Sequence, residues 1–302
     1  MRVIVTGAAG FLGGRLTAML AADPRVAEVV GLDRSPLLAT PFRTITADIA
    51  GFPVLAPTAG AVVHAAAITS QASEADPDAA FNINVEGMRA VLRWARAQPE
   101  PPRVVLLSSV AVFGRGDAVA TEETPPEPRS TYGTSKVLAE RLLLDATRRG
   151  EADGVVVRLP VSIIRTAART APPGAGFVSD LIDSALRGQP FTAPLTPVHA
   201  VPVASVEASL GIALRAALVP IPGRILHVPS LAGSAELALA ALERCGITGA
   251  RVSCAPDPAV ECLVAGWPSR LGTVHPGFSA DLADAGLDPI IRAHAARVAR
   301  AA

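Results

Sequence analysis

Lysine and tyrosine are almost missing from this chain. Among 302 residues there is one of each, Lys136 and Tyr132, and the other 26 basic residues are arginine. Cysteine is scarce too. Cys245, Cys254 and Cys262 are odd in number and lack CxxC spacing, which excludes a disulfide framework and offers no zinc site. Only 4% of residues are aromatic, and much of the apolar half is alanine. No run of about 18 apolar residues is free of charge, glycine or proline, so no membrane-spanning helix is expected. Net charge is zero and the arginines are scattered, which argues against a nucleic-acid footprint. His64, His199, His227, His275 and His294 form no HxxxH pair and read as packed or surface residues, so no metal is expected. Met1-Arg2 followed by apolar residues faintly imitates a secretory leader. The recurring glycines there fit a strand-turn-helix better, and a reduced cytoplasmic setting is the expectation.

What is present is concentrated. The lone tyrosine and the lone lysine sit four residues apart, a coincidence expected about once in 300 placements. On a helix, residues i and i+4 share a face. A phenol beside an ammonium group is expected to ionise below its usual pKa of about 10. Lowering it to about 7 needs roughly 4 kcal/mol, which a charge about 4 Å away supplies at an effective dielectric near 20.

Short β-branched runs at 3–6, 28–32, 44–46, 61–64, 104–107 and 155–159 alternate with helical stretches at 11–22, 79–97 and 132–149. That alternation predicts an α/β fold, a doubly wound parallel sheet covered on both faces, in residues 1–160. A late strand near 225–228 is expected to return to it. After Pro160 the texture changes. Prolines crowd 172–202, and apolar-periodic stretches follow at 205–217, 234–245 and 287–300. Residues 161–302 therefore read as a smaller, partly helical lobe for substrate.

The first strand runs into Thr6-Gly7-Ala8-Ala9-Gly10-Phe11-Leu12-Gly13 and then a helix. Gly7, Gly10 and Gly13 suit a tight turn, close approach of a pyrophosphate and helix-sheet packing, with the helix amino terminus facing the phosphates. Asp33 ends the second strand, where a carboxylate accepts hydrogen bonds from ribose hydroxyls and repels a 2′-phosphate. NAD is the expected cofactor. Arg34 is a complication, since a neighbouring arginine is how such sites admit NADP.

Ser108 and Ser109 end the fifth strand, at the edge where doubly wound sheets bind ligands. Ser130-Thr131-Tyr132-Gly133-Thr134-Ser135-Lys136 opens a helix facing the same crevice. Alcohol oxidation needs a base for the hydroxyl proton and an acceptor for the hydride. Tyr132 suits the base and Ser109 a hydrogen bond to the substrate oxygen, with Ser108 as its substitute should Ser109 point away. Arg165 and Arg270 are candidates to pair with a substrate carboxylate, and His199 is a weaker candidate for the same pocket.

Those motifs, together with Asp48-Ile49, His64-Ala65-Ala66-Ala67, Asn84-Val85-Glu86-Gly87 and Arg158-Leu159-Pro160, resemble the extended short-chain dehydrogenases/reductases of the NAD-dependent epimerase/dehydratase type. The resemblance spans essentially the whole chain. It implies a Rossmann fold and a Ser109–Tyr132–Lys136 catalytic set. It also implies Phe11 and Leu12 in the phosphate turn, Asp48 and Ile49 beside the adenine, and Ala65, Ala66 and Ala67 along the dinucleotide. Asn84 would support a proton relay, Lys136 would also hold the nicotinamide ribose, and Pro160 and Val161 would border the nicotinamide. Many members form homodimers through helices equivalent to 79–97 and 132–149. Ala67-Ile68-Thr69-Ser70, Asp257-Pro258-Ala259-Val260-Glu261 and Gly266-Trp267-Pro268-Ser269-Arg270 resemble a branch that oxidises small sugar acids, which implies Ser70 near the cofactor. Residues 165–176 and 272–277 depart from that branch, and both are expected near substrate.

The resulting expectation is an NAD-dependent oxidoreductase acting on a secondary alcohol or ketone of a small hydroxy acid or sugar acid. An epimerase of a nucleotide-linked sugar that retains its NAD, or a specialised biosynthetic ketoreductase, would use the same residues. A non-catalytic dinucleotide sensor would need no such set. Dehydration is disfavoured, because Val110 and Ala111 follow Ser109 where dehydratases of the family carry carboxylates.

Overall fold

Strands buried on both faces need near-continuous apolar runs, and the first part of the chain supplies them. The computed structural model describes residues 1–37, 40–164 and 174–301. Seven of its strands form one parallel sheet: β1 (Arg2–Thr6), β2 (Glu28–Asp33), β3 (Arg43–Thr46), β4 (Ala61–His64), β5 (Arg103–Ser109), β6 (Asp153–Leu159) and β7 (Ile225–His227). Their spatial order is β7-β6-β5-β4-β1-β2-β3. β1 lies between β4 and β2, with Thr6 opposite His64 on one side and Leu32 on the other. The order reverses there, so the crevice of a doubly wound sheet opens at the carboxyl ends of β1 and β4.

Two compact units are formed. One comprises Met1–Val112, Ser130–Arg158 and Leu210–Leu226. Its labelled helices are α1 (Phe11–Ala21), α2 (Gly87–Arg96) and α3 (Thr131–Arg148). Met88, Val91 and Trp94 of α2 and Ala139 and Leu143 of α3 are buried in its core with Ile4, Val62, Val104 and Val156 of the sheet. Trp94 meets Phe52 edge-on, with ring centroids 5.5 Å apart, a contact worth about 0.5–1.5 kcal/mol beyond the area it buries.

The helix expected over 79–97 is present from Pro77 to Arg96, with a π turn inside it. Pro77–Phe81 is α-helical, Asn82–Glu86 forms a π turn, and α2 begins only at Gly87. The extra residue in the π turn accompanies a buried Asn84, whose side chain is fully engaged below the sheet edge.

The other unit comprises Phe113–Arg129, Leu159–Ser209 and His227–Ala302. Val161–Ile163 runs parallel to Val201–Ser205, which pairs antiparallel with Leu231–Gly233. Phe191–Ala193 pairs with Val252–Cys254, and Val119–Ala120 with Arg270–Leu271. Phe177–Leu186, Ala235–Arg244 and Leu287–Ala301 are helices that close a second apolar core around Phe177, Leu181, Leu242 and Ile291. Among the described residues, no helix is long and apolar enough to cross a membrane, and no cluster of His, Cys, Asp and Glu could hold a metal ion.

Candidate active site

The glycine turn is built by backbone crowding. Gly7 has φ +70°, and a Cβ there would lie 2.7 Å from Ala66 N and 2.8 Å from Ala65 C. A Cβ on Gly13 would collide with Gly7 O. The turn is tied down by Gly10 N donating to Gly7 O at 3.0 Å and Ala65 N donating to Thr6 O at 3.2 Å. Only glycine fits such a cradle, and it leaves the first turn of α1 open at its amino end.

A cleft in this unit is lined by Gly7, Gly10, Asp33, Asp48, Ile49 and the run Ala65-Ala66-Ala67. It thus brings together eight residues that the sequence assigned to the dinucleotide. Arg34, Ile68 and Ile83 line it too. Asp33 Oδ2 accepts from Ala9 N at 3.0 Å and Oδ1 from Ser35 N at 2.9 Å, which fixes the carboxylate at the mouth of the turn. Asp48 Oδ1 accepts from Ala50 N at 2.9 Å and caps a short 3-10 turn, Ile49–Gly51. These features fit an adenine dinucleotide: a glycine cradle for phosphates beside two fixed carboxylates.

The remaining cofactor candidates lie around it. Phe11 and Leu12 start α1, half-buried, and the Arg15 guanidinium sits 4.6 Å from the Phe11 ring centroid. Ser70 opens the helix Ser70–Ala75 with φ 37°, unusual for a residue other than glycine. Asn84 Oδ1 accepts from Ile68 N at 2.9 Å, and its Nδ2 donates to Ile68 O and to Ser135 Oγ. Asn84 therefore links the cleft wall to α3.

α3 starts at Ser130, whose side chain accepts from Gly133 N at 3.0 Å. Tyr132, Lys136 and Glu140 then follow at four-residue spacing on one face. Ser109 Oγ accepts from Ala111 N at 3.2 Å and lies near enough to the Tyr132 phenol at α3's amino end to pull on its ionisation. Ser108 donates to Glu140 Oε1, two turns further along α3, at 2.5 Å. Ser109 is thus the serine that meets the tyrosine, and Ser108 is occupied elsewhere. Lys136 is buried, its Nζ 6.0 Å from the Tyr132 ring centroid.

The expected depression of the tyrosine pKa is not met. Tyr132 is half-buried by area, yet crowded enough that desolvation pushes its pKa up to about 12, against a smaller pull from the Ser109 hydrogen bond. Burial also pushes Lys136 down to about 8, opposed by the Glu140 charge. The sequence estimate counted the attraction between phenolate and ammonium but not the loss of water around both. His64 is buried behind them, bonded through Nδ1 to Thr6 Oγ1 at 2.8 Å, and held neutral with its pKa lowered to about 3 by burial and the Lys136 charge.

The sequence reading missed this rear layer. Glu140 and Arg158 are each 2% exposed and pair through two contacts, Nε to Oε1 at 3.0 Å and Nη2 to Oε2 at 2.8 Å. The i+4 step from Lys136 to Glu140 was the available signal.

The nominated substrate residues lie in the other unit or outside the description. Arg270 is exposed at the start of its short strand, with its N–H donating to Ala118 O at 3.2 Å. His199 is half-buried, and Pro160 is buried beside the half-buried Val161. Arg165 lies outside the described residues.

Residues 3–199 match the model of the NAD dependent epimerase/dehydratase family. The chain belongs to that family. It is an NAD-dependent enzyme. It is similar to the D-erythronate dehydrogenase of Cupriavidus necator, at 31% identity over 97% of this chain and 98% of that enzyme. The D-erythronate dehydrogenase of Haemophilus influenzae is 28% identical over 93% of this chain and 95% of its own. Among solved structures, the nucleoside-diphosphate-sugar epimerase from Agrobacterium tumefaciens superposes with TM-score 0.85 at 26% identity, covering 97% of this chain and 93% of that one.

Proposed function

We propose that this family member is an oxidoreductase moving a hydride between NAD and the secondary alcohol or ketone of a small sugar acid resembling D-erythronate. The observation that carries the reading is the meeting of Ser109, Tyr132 and Lys136 at the edge of the sheet next to the glycine cradle. When bound, NAD supplies the hydride acceptor and a positively charged ring. Gly7, Gly10 and Gly13 hold its phosphates, Asp33 its adenosine ribose, and Asp48 with Ile49 its adenine. Ala65 to Ala67, Ser70 and Asn84 would form the adjoining wall, and Pro160 and Val161 are the candidates to border the nicotinamide.

Ser109 donates to the substrate oxygen and fixes the reacting carbon. Tyr132 removes the hydroxyl proton in oxidation and returns it in reduction. Lys136 contributes a buried cation that lowers the cost of the phenolate, and it hydrogen-bonds the nicotinamide ribose. Arg270 and Arg165 are the guanidinium candidates for the substrate carboxylate, and His199 is a further candidate for the same pocket. The full-length similarity to two D-erythronate dehydrogenases supports the substrate class.

The test is absorbance of NADH on mixing the protein with NAD and a panel of four-carbon hydroxy acids including D-erythronate. Stoichiometric NADH supports the reading. A protein that isolates with NAD bound, and interconverts a nucleotide-sugar with no net absorbance change, is an epimerase instead.

A further inference from the structure

Three charges are buried in a row behind Tyr132. Lys136 and Glu140 occupy successive turns of α3, and Arg158 reaches Glu140 from β6. All three are 2% exposed. Buried charges of this kind are tolerated only when paired and hydrogen-bonded. Glu140 meets that need twice over, since it accepts two contacts from Arg158 and a third from Ser108 Oγ. Its carboxylate is thereby locked in place, and it stands one turn from Lys136.

We infer that Glu140 is a positioning residue for the reaction, its fixed carboxylate keeping Lys136 in the ammonium form beside Tyr132. The inference rests on the reading of Lys136 as the working cation and says what maintains it. The titratable or charged groups facing Lys136 are Tyr132 and Glu140 on its own helix and His64 from β4, with Arg158 behind Glu140 from β6. Burial weakens the ammonium's hold on its proton, and Glu140 opposes that effect. His64 adds no competing charge at neutral pH, because its own pKa lies near 3. Arg158 has two opposed effects. It holds Glu140 in place, and as a cation it partly offsets the field that Glu140 exerts.

The chain offers a direct readout, since it contains a single lysine and a single tyrosine. Lysine labelled with 13C at Cε gives one side-chain NMR signal to titrate, with no assignment problem and with neither NAD nor substrate present. The midpoints should order as Arg158→Met highest, then wild type, then Glu140→Gln/Arg158→Met, then Glu140→Gln lowest. Glu140→Gln should fall below wild type by about one pH unit or more. Should Glu140→Gln fail to fold once Arg158 loses that carboxylate, the double variant carries the test, because it buries neither charge. In a folded variant that retains turnover, the alkaline limb of kcat/KM should move with the NMR midpoint. A structural role alone would lower stability and leave the midpoint in place. Equal midpoints in all folded variants, or a double variant titrating at or above wild type, overturns the inference. Neither result depends on which substrate is turned over, so it stands or falls separately from the proposed reaction.

Discussion

Ser108 and Ser109 are neighbours in β5 with separate commitments to α3: Ser108 donates to Glu140 at 2.5 Å, while Ser109 meets the Tyr132 phenol. The two adjacent serines thus meet different turns of one helix. Ser109→Ala should therefore lower kcat by about 10²–10³-fold with little change in melting temperature, as loss of one donor to the reacting oxygen does elsewhere. Ser108→Ala should do the reverse. It removes a buried hydrogen bond to a carboxylate, costing about 1.5–3 kcal/mol of stability, and should leave kcat within about tenfold. Steady-state kinetics and thermal melts of both variants check the division.

In the proposed function, Asp33 is the residue that sets the choice between dinucleotides. Its carboxylate is pinned by Ala9 N and Ser35 N at the mouth of the glycine turn, and Arg34 lines the same cleft. A 2′-phosphate would face that fixed negative charge. Asp33→Ser should shift the kcat/KM ratio toward NADP by about tenfold or more, with Arg34 then free of an opposing carboxylate neighbour. Measuring the ratio with both cofactors tests this, and an unchanged ratio contradicts the assignment of Asp33.

His64 makes stability depend on pH. Burial, and secondly the Lys136 charge, lower its pKa from 6.5 to about 3. Below about pH 6.5 an unfolded chain takes up a proton here that the folded chain refuses until about pH 3. Stability is therefore lost as pH falls through that window, by on the order of 4 kcal/mol at its lower end, and is indifferent to His64 above it. Carboxylates held low by arginines, Asp153 and Asp183 among them, lose stability on acidification as well. Urea unfolding at pH 7 and pH 4.5 should show a smaller acid loss in His64→Asn than in wild type.

Much of this molecule can be read from local pattern. Parallel strands buried on both faces announce themselves as short apolar runs, and the glycines at 7, 10 and 13 mark a turn where backbone must approach backbone. The Tyr132–Lys136 spacing gave the pair its shared face. Other features depend on what the rest of the chain brings up against a residue. The direction of the Tyr132 shift is set by lost solvent, which no spacing rule contains. The π turn around Asn84 interrupts an apolar period that reads through it unbroken. Glu140 looks like any solvated helix acid until Arg158, eighteen residues on, is seen to bury it. Arg165, assigned to the substrate carboxylate, falls in a segment outside the described residues.

The proposed chemistry needs a proton carrier at one hydroxyl, and Tyr132→Phe removes that oxygen alone. NAD affinity, followed by calorimetry, should stay within a few-fold of wild type, while turnover of the hydroxy acid should fall by about 10³-fold or more. A Tyr132→Phe enzyme that binds NAD and turns over at a rate near wild type would contradict the account.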